Sequence, residues 1–99
     1  MKLRLRISSR AWVEIDRASR WWRRNRDKAP HAFDEDLFQA LDRIRSDPGV
    51  GKRIPARRPG LRVLWLDRIG YFVYYSVTDH DIVEIAAIWH AARGSRPRL

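Results

Sequence analysis

The stretch LRVLWLDRIGYFVYYSVTDHDIVEIAAIWH, residues 61–90, contains three runs that are rich in β-branched and aromatic residues. The runs are Leu61 to Leu66, Tyr71 to Thr78 and Ile82 to His90, and their composition favours β-strands. The segments between the runs, 67–70 and 79–81, are short enough to be hairpin turns. This stretch therefore predicts three consecutive strands, each paired with the next.

The amino-terminal residues predict a further strand. Residues 3–7, LRLRI, alternate an aliphatic side chain with arginine, and a period of two is typical of a strand with one apolar face. Because the aliphatic residues claim the core side, Arg4 and Arg6 are expected on the opposite face. No short turn sets the pairing of this strand, so its position in the sheet stays open.

Two helices are predicted between the first strand and residue 61. Ser8 or Ser9 can cap the first helix, which runs from Ser9 to about Arg26. The residues expected on its buried stripe are Ala11, Trp12, Ile15, Ala18 and Trp22. Trp21 lies about 100° away from Trp22 around the helix, so we expect Trp22 in the core and Trp21 at an interface. The alternative is that both rings fill a groove between helix and sheet.

Pro30 is expected in the first turn of the second helix, where its missing N–H costs no hydrogen bond. Acidic residues 34–36 follow near the positive end of that helix, and Asp47-Pro48-Gly49 ends it. The residues expected on its buried stripe are Phe33, Leu37, Ala40, Leu41 and Ile44. Since only a few residues separate the two helices, they should form an antiparallel helical hairpin.

The element order β-α-α-β-β-β predicts an α+β fold, with the hairpin packed on one face of a small, mainly antiparallel four-stranded sheet. The other face of the sheet is left to solvent or to a partner. At 99 residues the chain has room for a single domain, 1–99, in which residues 94–99 form a basic tail.

The composition excludes several kinds of site. The chain has no cysteine, which excludes disulfides, thiolate zinc sites and a cysteine nucleophile. Asp79, His80 and Asp81 are adjacent in a predicted turn, and adjacent residues rarely converge on one metal ion. No glycine-rich phosphate loop or nucleophile elbow is present. We therefore expect no metal and no cofactor.

Charge and hydropathy indicate the compartment and the kind of partner. Twenty-one Lys and Arg residues against twelve Asp and Glu residues give a net charge of +9, which favours a polyanion or an acidic protein as partner. No apolar run is long enough for a signal peptide or a membrane span. A cytoplasmic protein without a membrane partner is expected.

Several stretches, taken in order and spacing, match a known superfamily. The first stretch is Trp21 to Arg26, followed closely by Ala29-Pro30. The others are Phe33, Leu37 to Leu41, Gly60-Leu61-Arg62, Gly70 to Tyr75 and Ile88 to Gly94. Over nearly its whole length the chain resembles the RelE/ParE superfamily of bacterial type II toxins. The resemblance implies a toxin that a cognate antitoxin, encoded by an adjacent gene, wraps and silences.

The resemblance implies two alternative targets. RelE-like members cut messenger RNA at the ribosome, whereas ParE-like members poison DNA gyrase and are not nucleases. RNA cleavage needs a proton acceptor, a proton donor and cations; His90 is the candidate for proton transfer. Arg62 matches an arginine of RelE-like nucleases that could hold the scissile phosphate. Lys52 and Arg53 lie in the loop where those nucleases carry further basic residues.

One departure from the RelE-like pattern favours the ParE-like target. Active relatives generally keep a tyrosine or a paired acid and base near the last strand, whereas Trp89-His90 is followed by no tyrosine. The leading hypothesis is therefore a ParE-like inhibitor of DNA gyrase. The alternatives are a RelE-like ribosome-dependent mRNA endoribonuclease and a non-toxic basic nucleic-acid-binding module. His90 would then be either catalytic or a strand-end histidine that is hydrogen-bonded to the backbone.

The candidate residues fall into three groups. The catalytic candidates are His90 and Arg62; the target- or phosphate-binding candidates are Lys52, Arg53, Arg57, Arg58 and Arg93; the partner-binding candidates are Trp21, Arg4 and Arg6. On the last strand, strict alternation would place Val83, Ile85, Ala87 and Trp89 against the helices. Glu84 and His90 would then share the opposite face with Arg4 and Arg6.

Overall fold

The computed structural model describes residues 2–99 and places two helices on one face of a five-stranded sheet. The elements are β1 (Arg4–Ile7), α1 (Ser9–Asn25), α2 (Ala32–Ser46), β2 (Lys52–Arg53), β3 (Arg62–Leu66), β4 (Tyr71–Thr78) and β5 (Ile82–His90), with 3₁₀ turns at Pro48–Val50 and Ala91–Arg93. The predicted α+β class and helical hairpin are confirmed. Neither helix of residues 2–99 combines the length and the apolar character needed to cross a bilayer.

The strand order in the sheet is β1-β5-β4-β3-β2. The three predicted runs form β3, β4 and β5, which pair antiparallel through the two predicted turns. β1 lies parallel to β5, with Arg6 opposite Glu84. The backbone N–H of Leu3 donates to the carbonyl of Arg45 at 2.9 Å, so α2 covers the start of the outer edge of β1.

β2 is a fifth strand beyond the four that the sequence predicts. Its two residues, Lys52 and Arg53, pair with Val63 and Arg62, and two residues are too few to show an alternating pattern. The Ile54 N–H donates to the Leu61 carbonyl at 3.1 Å and extends the pairing. Tertiary contacts with β3, rather than local sequence, therefore create this strand.

The start of α1 agrees with the prediction, but one residue of its stripe does not. The Ser8 hydroxyl accepts a hydrogen bond from the Ala11 N–H at 3.0 Å and caps the helix. Ala11 and Ala18 are buried, whereas Trp12 is 57% exposed. The expectation that Trp12 belongs to the buried stripe is wrong, because the small alanine side chains face the sheet and Trp12 lies one position further around the helix.

All five residues of the predicted stripe of α2 are buried. Pro30 lies before the helix, which begins at Ala32 with His31 as its cap residue, so the expectation that Pro30 occupies the first turn is wrong. Arg68, in the turn between β3 and β4, donates to the Ala32 carbonyl at 3.2 Å and to Glu35 at 2.9 Å. This arginine fastens the start of α2 to the sheet.

The main hydrophobic core lies between the helices and the face of the sheet that we call the helix-side face. Its side chains without measurable exposure include Phe33, Ile44, Val73, Tyr75, Val83 and Ile85. The Tyr75 hydroxyl donates to the Pro48 carbonyl at 2.8 Å and accepts from the Gly51 N–H at 2.7 Å. Burial raises the pKa of this phenol above its usual value, so it remains a neutral donor.

A β-bulge interrupts β5 at Ala86. Tyr74 pairs with Ala87 and Tyr75 pairs with Ile85, so Ala86 has no partner on β4. The alternation of side chains therefore reverses beyond this point. Ile88 joins the main core, whereas Ala87 and Trp89 lie on the other face, in contrast to the expected alternation.

The opposite face of the sheet, which we call the reverse face, carries a second and smaller apolar cluster. Leu61, Tyr74, Ala86 and Ala87 are buried there, and Ile54 and Leu99 pack against them. The carboxyl-terminal segment is fixed by hydrogen bonds from Trp89 to the Ser95 carbonyl at 2.6 Å and from Arg10 to the Arg98 carbonyl at 2.7 Å. The reverse face is thus partly covered by the chain itself, not fully open as expected.

Candidate functional site

His90 ends β5 on the helix-side face. Its ring meets Tyr71 edge to face with centroids 4.8 Å apart, and Tyr71 in turn contacts Phe33 of the core at 5.1 Å. The expectation that His90 shares the reverse face with Arg4 and Arg6 is wrong, because the bulge at Ala86 reverses the alternation before the strand ends.

The imidazole of His90 is hydrogen-bonded to the backbone. Its Nδ1 accepts from the Ala92 N–H at 3.1 Å, which leaves the proton of the neutral ring on Nε2. This is the arrangement of the strand-end alternative. It also gives His90 one free donor, Nε2–H, on an exposed side chain.

Two adjoining cavities open beside His90, with volumes of about 220 and 340 Å³. Both are lined by the rings of Trp21, Tyr71 and His90. Arg17 and Arg93 also line the first cavity, and Arg26 lines the second. We call these six residues the arginine–aromatic cleft. As expected, Trp22 packs against the core whereas Trp21 is 46% exposed.

Arg62 lies far from this cleft. Its guanidinium donates to the carbonyls of Gly51 at 2.7 Å and Gly49 at 3.5 Å, so it supports the loop before β2. Arg62 pairs with Tyr75, whereas His90 pairs with Tyr71. The two residues are thus separated by four positions along β4, about 13 Å, and by two strand spacings, about 10 Å. The structure does not bring the two predicted catalytic residues together.

The remaining basic candidates lie in two places. Lys52, Arg53 and Arg57 are exposed in the segment 52–58, whereas Arg58 is half-buried and donates to Glu84 at 3.1 Å. Arg93 lies in the cleft, with its guanidinium 4.2 Å from the ring centroid of Trp89. The candidate cations therefore form no single cluster.

Arg4 and Arg6 follow the predicted face of β1. Arg6 donates to Glu84 at 3.1 Å, and Arg4 lies 3.4 Å from Asp81. Glu84 also receives Arg58, so one carboxylate joins two arginines. These contacts tie β1 to β5 and to the loop before β3, and they leave Arg4 and Arg6 partly neutralised.

An apolar groove between β1 and the helices is a feature that the sequence reasoning missed. Its volume is about 570 Å³, and its apolar lining residues are Leu5, Ile7, Trp12, Phe38 and Leu41. We call this set the β1 groove. Phe38 is 71% exposed and Trp12 is 57% exposed. The sequence feature that could have indicated the groove is Phe38, a large aromatic residue that lies off the buried stripe of α2.

Within residues 2–99, no three histidine, aspartate and glutamate side chains lie close enough together to hold a metal ion. Asp79 and His80 occupy the turn between β4 and β5 with positive φ angles of 49° and 65°. Asp and His adopt this left-handed region more readily than most residues. The three residues 79–81 thus form a plain turn.

The fold and these surfaces can be compared with known proteins. Residues 5–94 match the family model of the ParE toxin of the type II toxin–antitoxin system parDE. A comparison with curated protein sequences gave no significant match. Two solved structures resemble the fold at 20% sequence identity. A chromosomal ParDE toxin–antitoxin system from P. aeruginosa gives a TM-score of 0.71, with coverage of 90% of this chain and 96% of that chain.

The second structure is a double mutant of the E. coli toxin RelE in the free state. It gives a TM-score of 0.57 and covers 94% of this chain and 87% of that chain. Both likenesses concern the arrangement of two helices on a mostly antiparallel sheet. Because the family match extends over most of the sequence, the chain belongs to the ParE toxin family of type II toxin–antitoxin systems.

Proposed function

We propose that this type II toxin inhibits DNA gyrase by binding it, and that it catalyses no reaction itself. The observation that carries the proposal is the separation of His90 from Arg62, the two residues that the endoribonuclease alternative would need to act on one phosphate. Family membership supports the same reading. The toxin has a cognate antitoxin as partner.

The segment 52–58 is the proposed target-binding surface. Lys52, Arg53 and Arg57 are exposed there, and none of the three forms a salt bridge within residues 2–99. Trp65, on the adjoining β3, is 43% exposed and contacts Phe72 with ring centroids 4.7 Å apart and ring planes tilted by 45°. Arginine and tryptophan are residue types that are enriched at interface hot spots.

Supercoiling and message-cleavage assays test the proposal. Purified toxin should block supercoiling by gyrase and leave ribosome-bound messenger RNA intact. The triple variant Lys52→Gln, Arg53→Gln, Arg57→Gln should weaken inhibition about tenfold or more, whereas Arg20→Gln, on α1, should not. Messages cut at codon positions, with cutting abolished by His90→Ala, would instead support the endoribonuclease.

The β1 groove is the proposed docking site of the antitoxin. The outward-facing residues Phe38 and Trp12 expose a large apolar area, and contiguous apolar surface of this kind marks protein interaction sites. The net charge of +9 suits an antitoxin segment that combines apolar side chains with acidic ones. A segment that continued from the groove around the edge strand β1 would meet Arg4 and Arg6 on the reverse face.

Phe38→Ser, with Gln39→Ser as the matched control on the same helix, tests the docking site. Phe38→Ser should weaken antitoxin binding about tenfold or more and leave supercoiling inhibition unchanged, so the antitoxin would no longer rescue growth. Equal effects of the two substitutions on antitoxin affinity would place the antitoxin elsewhere.

A further inference from the structure

The arginine–aromatic cleft combines flat rings with unpaired positive charge, and neither surface proposed above uses it. Trp12 and Trp21 lie nine residues apart on α1, which places them about 180° apart around the helix axis. The cleft and the β1 groove are therefore on opposite flanks of α1.

The rings of the cleft are partly exposed to solvent, and one of them is anchored to the hydrophobic core. Trp21 is 46% exposed and His90 is exposed, whereas Tyr71 is half-buried and anchored on Phe33. The Arg26 guanidinium lies 4.9 Å from the Trp21 centroid. Aromatic rings flanked by guanidinium groups offer stacking surfaces for any nucleobase, because every base has a flat π-face.

The charges of the cleft favour an anion. Arg17, Arg26 and Arg93 form no salt bridge within residues 2–99, whereas Arg10, Arg20 and Arg23 of α1 do. One carboxylate lines the cleft, that of Glu14. Its Oε1 accepts from the Ile88 N–H at 2.9 Å and its Oε2 accepts from Arg10 at 3.3 Å. Glu14 therefore pairs with none of the three cleft arginines, and the contact of Arg93 with the Trp89 ring at 4.2 Å leaves the charge of Arg93 without a carboxylate partner.

We infer that the arginine–aromatic cleft binds a nucleoside phosphate, with the base among Trp21, Tyr71 and His90 and the phosphate on the arginines. The Nε2–H of His90 supplies a donor to the base edge or the phosphate. The ligand is either a free nucleotide or one nucleotide of a single strand, since both present the same base and phosphate. This inference is independent of the proposed gyrase inhibition.

Binding of labelled single-stranded adenylate hexamers to the whole toxin, followed by fluorescence polarisation, tests the inference. The hexamer should bind about tenfold or more tightly than an abasic hexamer with the same phosphates. Trp21→Leu should lower the affinity for the hexamer about tenfold, whereas the matched control Trp12→Leu should leave this affinity unchanged. Equal affinity for the two hexamers, or no effect of Trp21→Leu, would overturn the inference.

Two further measurements separate charge from stacking. Each cleft arginine that contacts a phosphate contributes about 0.7 to the slope of log affinity against log salt for a single strand. Arg17→Gln should therefore flatten the slope, and Arg20→Gln, whose arginine is paired with Asp16, should not. In the unaltered toxin, the indole N–H resonance of Trp21 should shift on adding the hexamer, while that of Trp12 stays fixed.

Competition identifies the source of the ligand. Displacement of the hexamer by adenosine monophosphate at similar concentrations would assign the cleft to free nucleotides, and weak displacement would assign it to single strands; both outcomes support the inference. Preferential binding of an acidic, aromatic peptide, with no hexamer bound, would overturn it and assign the cleft to a protein partner. Loss of supercoiling inhibition by the triple variant is measured separately, so failure of one proposal leaves the other standing.

Discussion

In the core on the helix-side face of the sheet, Val73, Tyr75 and Ile85 of the strands and Phe33 of α2 have no exposed surface, whereas on the reverse face Trp65 keeps 43% of its surface exposed. Two helices cover the first face, and the second is covered in part by residues near Ile54 and Leu99. The difference indicates a division of labour. The core beneath the helices stabilises the fold, while the uncovered part of the reverse face, like the β1 groove at the edge of the helices, keeps apolar surface available for contacts with other molecules.

The largest expected effect is the difference in the free energy of unfolding between two truncations, Phe33→Ala in the helix-side core and Phe72→Ala on the reverse face. Phe33 is fully buried, so its truncation should lower the free energy of unfolding by about 3–5 kcal/mol. Phe72 is half-buried on the reverse face, and its truncation should cost roughly 1–2 kcal/mol, because less apolar area returns to water. Urea unfolding measures both; equal losses would contradict the division.

Gly51→Ala tests the edge of the helix-side core. A Cβ at this position would lie 2.5 Å from the Tyr75 hydroxyl, and overpacking of this kind costs about 1–3 kcal/mol. Gly49→Ala is the matched control, since its Cβ would meet only Asp47 at 3.7 Å. Thermal unfolding should separate the two variants, and an unchanged midpoint for Gly51→Ala would mean that Tyr75 moves freely.

Ser8→Ala probes the bulge at which the two faces exchange residues. The Ser8 hydroxyl accepts from the Ala11 N–H and donates to the Ala86 carbonyl at 3.1 Å, so its removal should cost about 1–2 kcal/mol. Ser9 is an exposed neighbour, so Ser9→Ala should change the free energy of unfolding by less than about 0.5 kcal/mol. Chemical shifts of Ala86 should change in the first variant alone.

The smallest effect is expected outside both faces, at the ion pair between Lys2 and Asp42. The hydrogen bond from Lys2 holds the pKa of Asp42 below its usual value. A carboxyl group whose pKa is lower in the folded state stabilises the fold above its unfolded-state pKa, about 3.9, and this stabilisation is lost as the pH falls through the folded-state pKa. The pair is exposed, so added salt should weaken it.

Stability measured from pH 6 to pH 2 checks this expectation. Asp42→Asn and Lys2→Gln should each reduce the loss of stability in acid, and the double variant should reduce it no further. Additive effects of the two substitutions would show that the two side chains act independently.

The sequence predicts much of the fold because its patterns are strong where one face alone is buried. The stripe of α2 from Phe33 to Ile44 is an example. On β5 the pattern fails, because apolar residues run almost continuously from Ile82 to Ile88 and nothing marks the bulge at Ala86. The sequence does not predict β2 either, because this strand depends on contacts with β3, including the hydrogen bond from Arg62 to the Gly51 carbonyl.

The candidate sites were less predictable than the fold. His90 and Trp21 were recognisable as residue types that act at surfaces, but their shared cleft depends on the reversal at Ala86 and on the approach of α1 to β5. The β1 groove depends on which flank of α1 the second helix leaves uncovered. The cleft and the groove both result from packing between segments that are distant in the sequence. The periodicity of residues within one segment does not predict such packing.

The pairing of β1 with β5 bears on how the toxin is made. Arg6 and its partner Glu84 are 78 residues apart, and at about 5–20 residues per second the ribosome needs roughly 4–16 s to make the intervening chain. Until then the first strand has no neighbour, and the native surfaces cannot assemble. The nascent polypeptide should therefore stay harmless until β5 has been made.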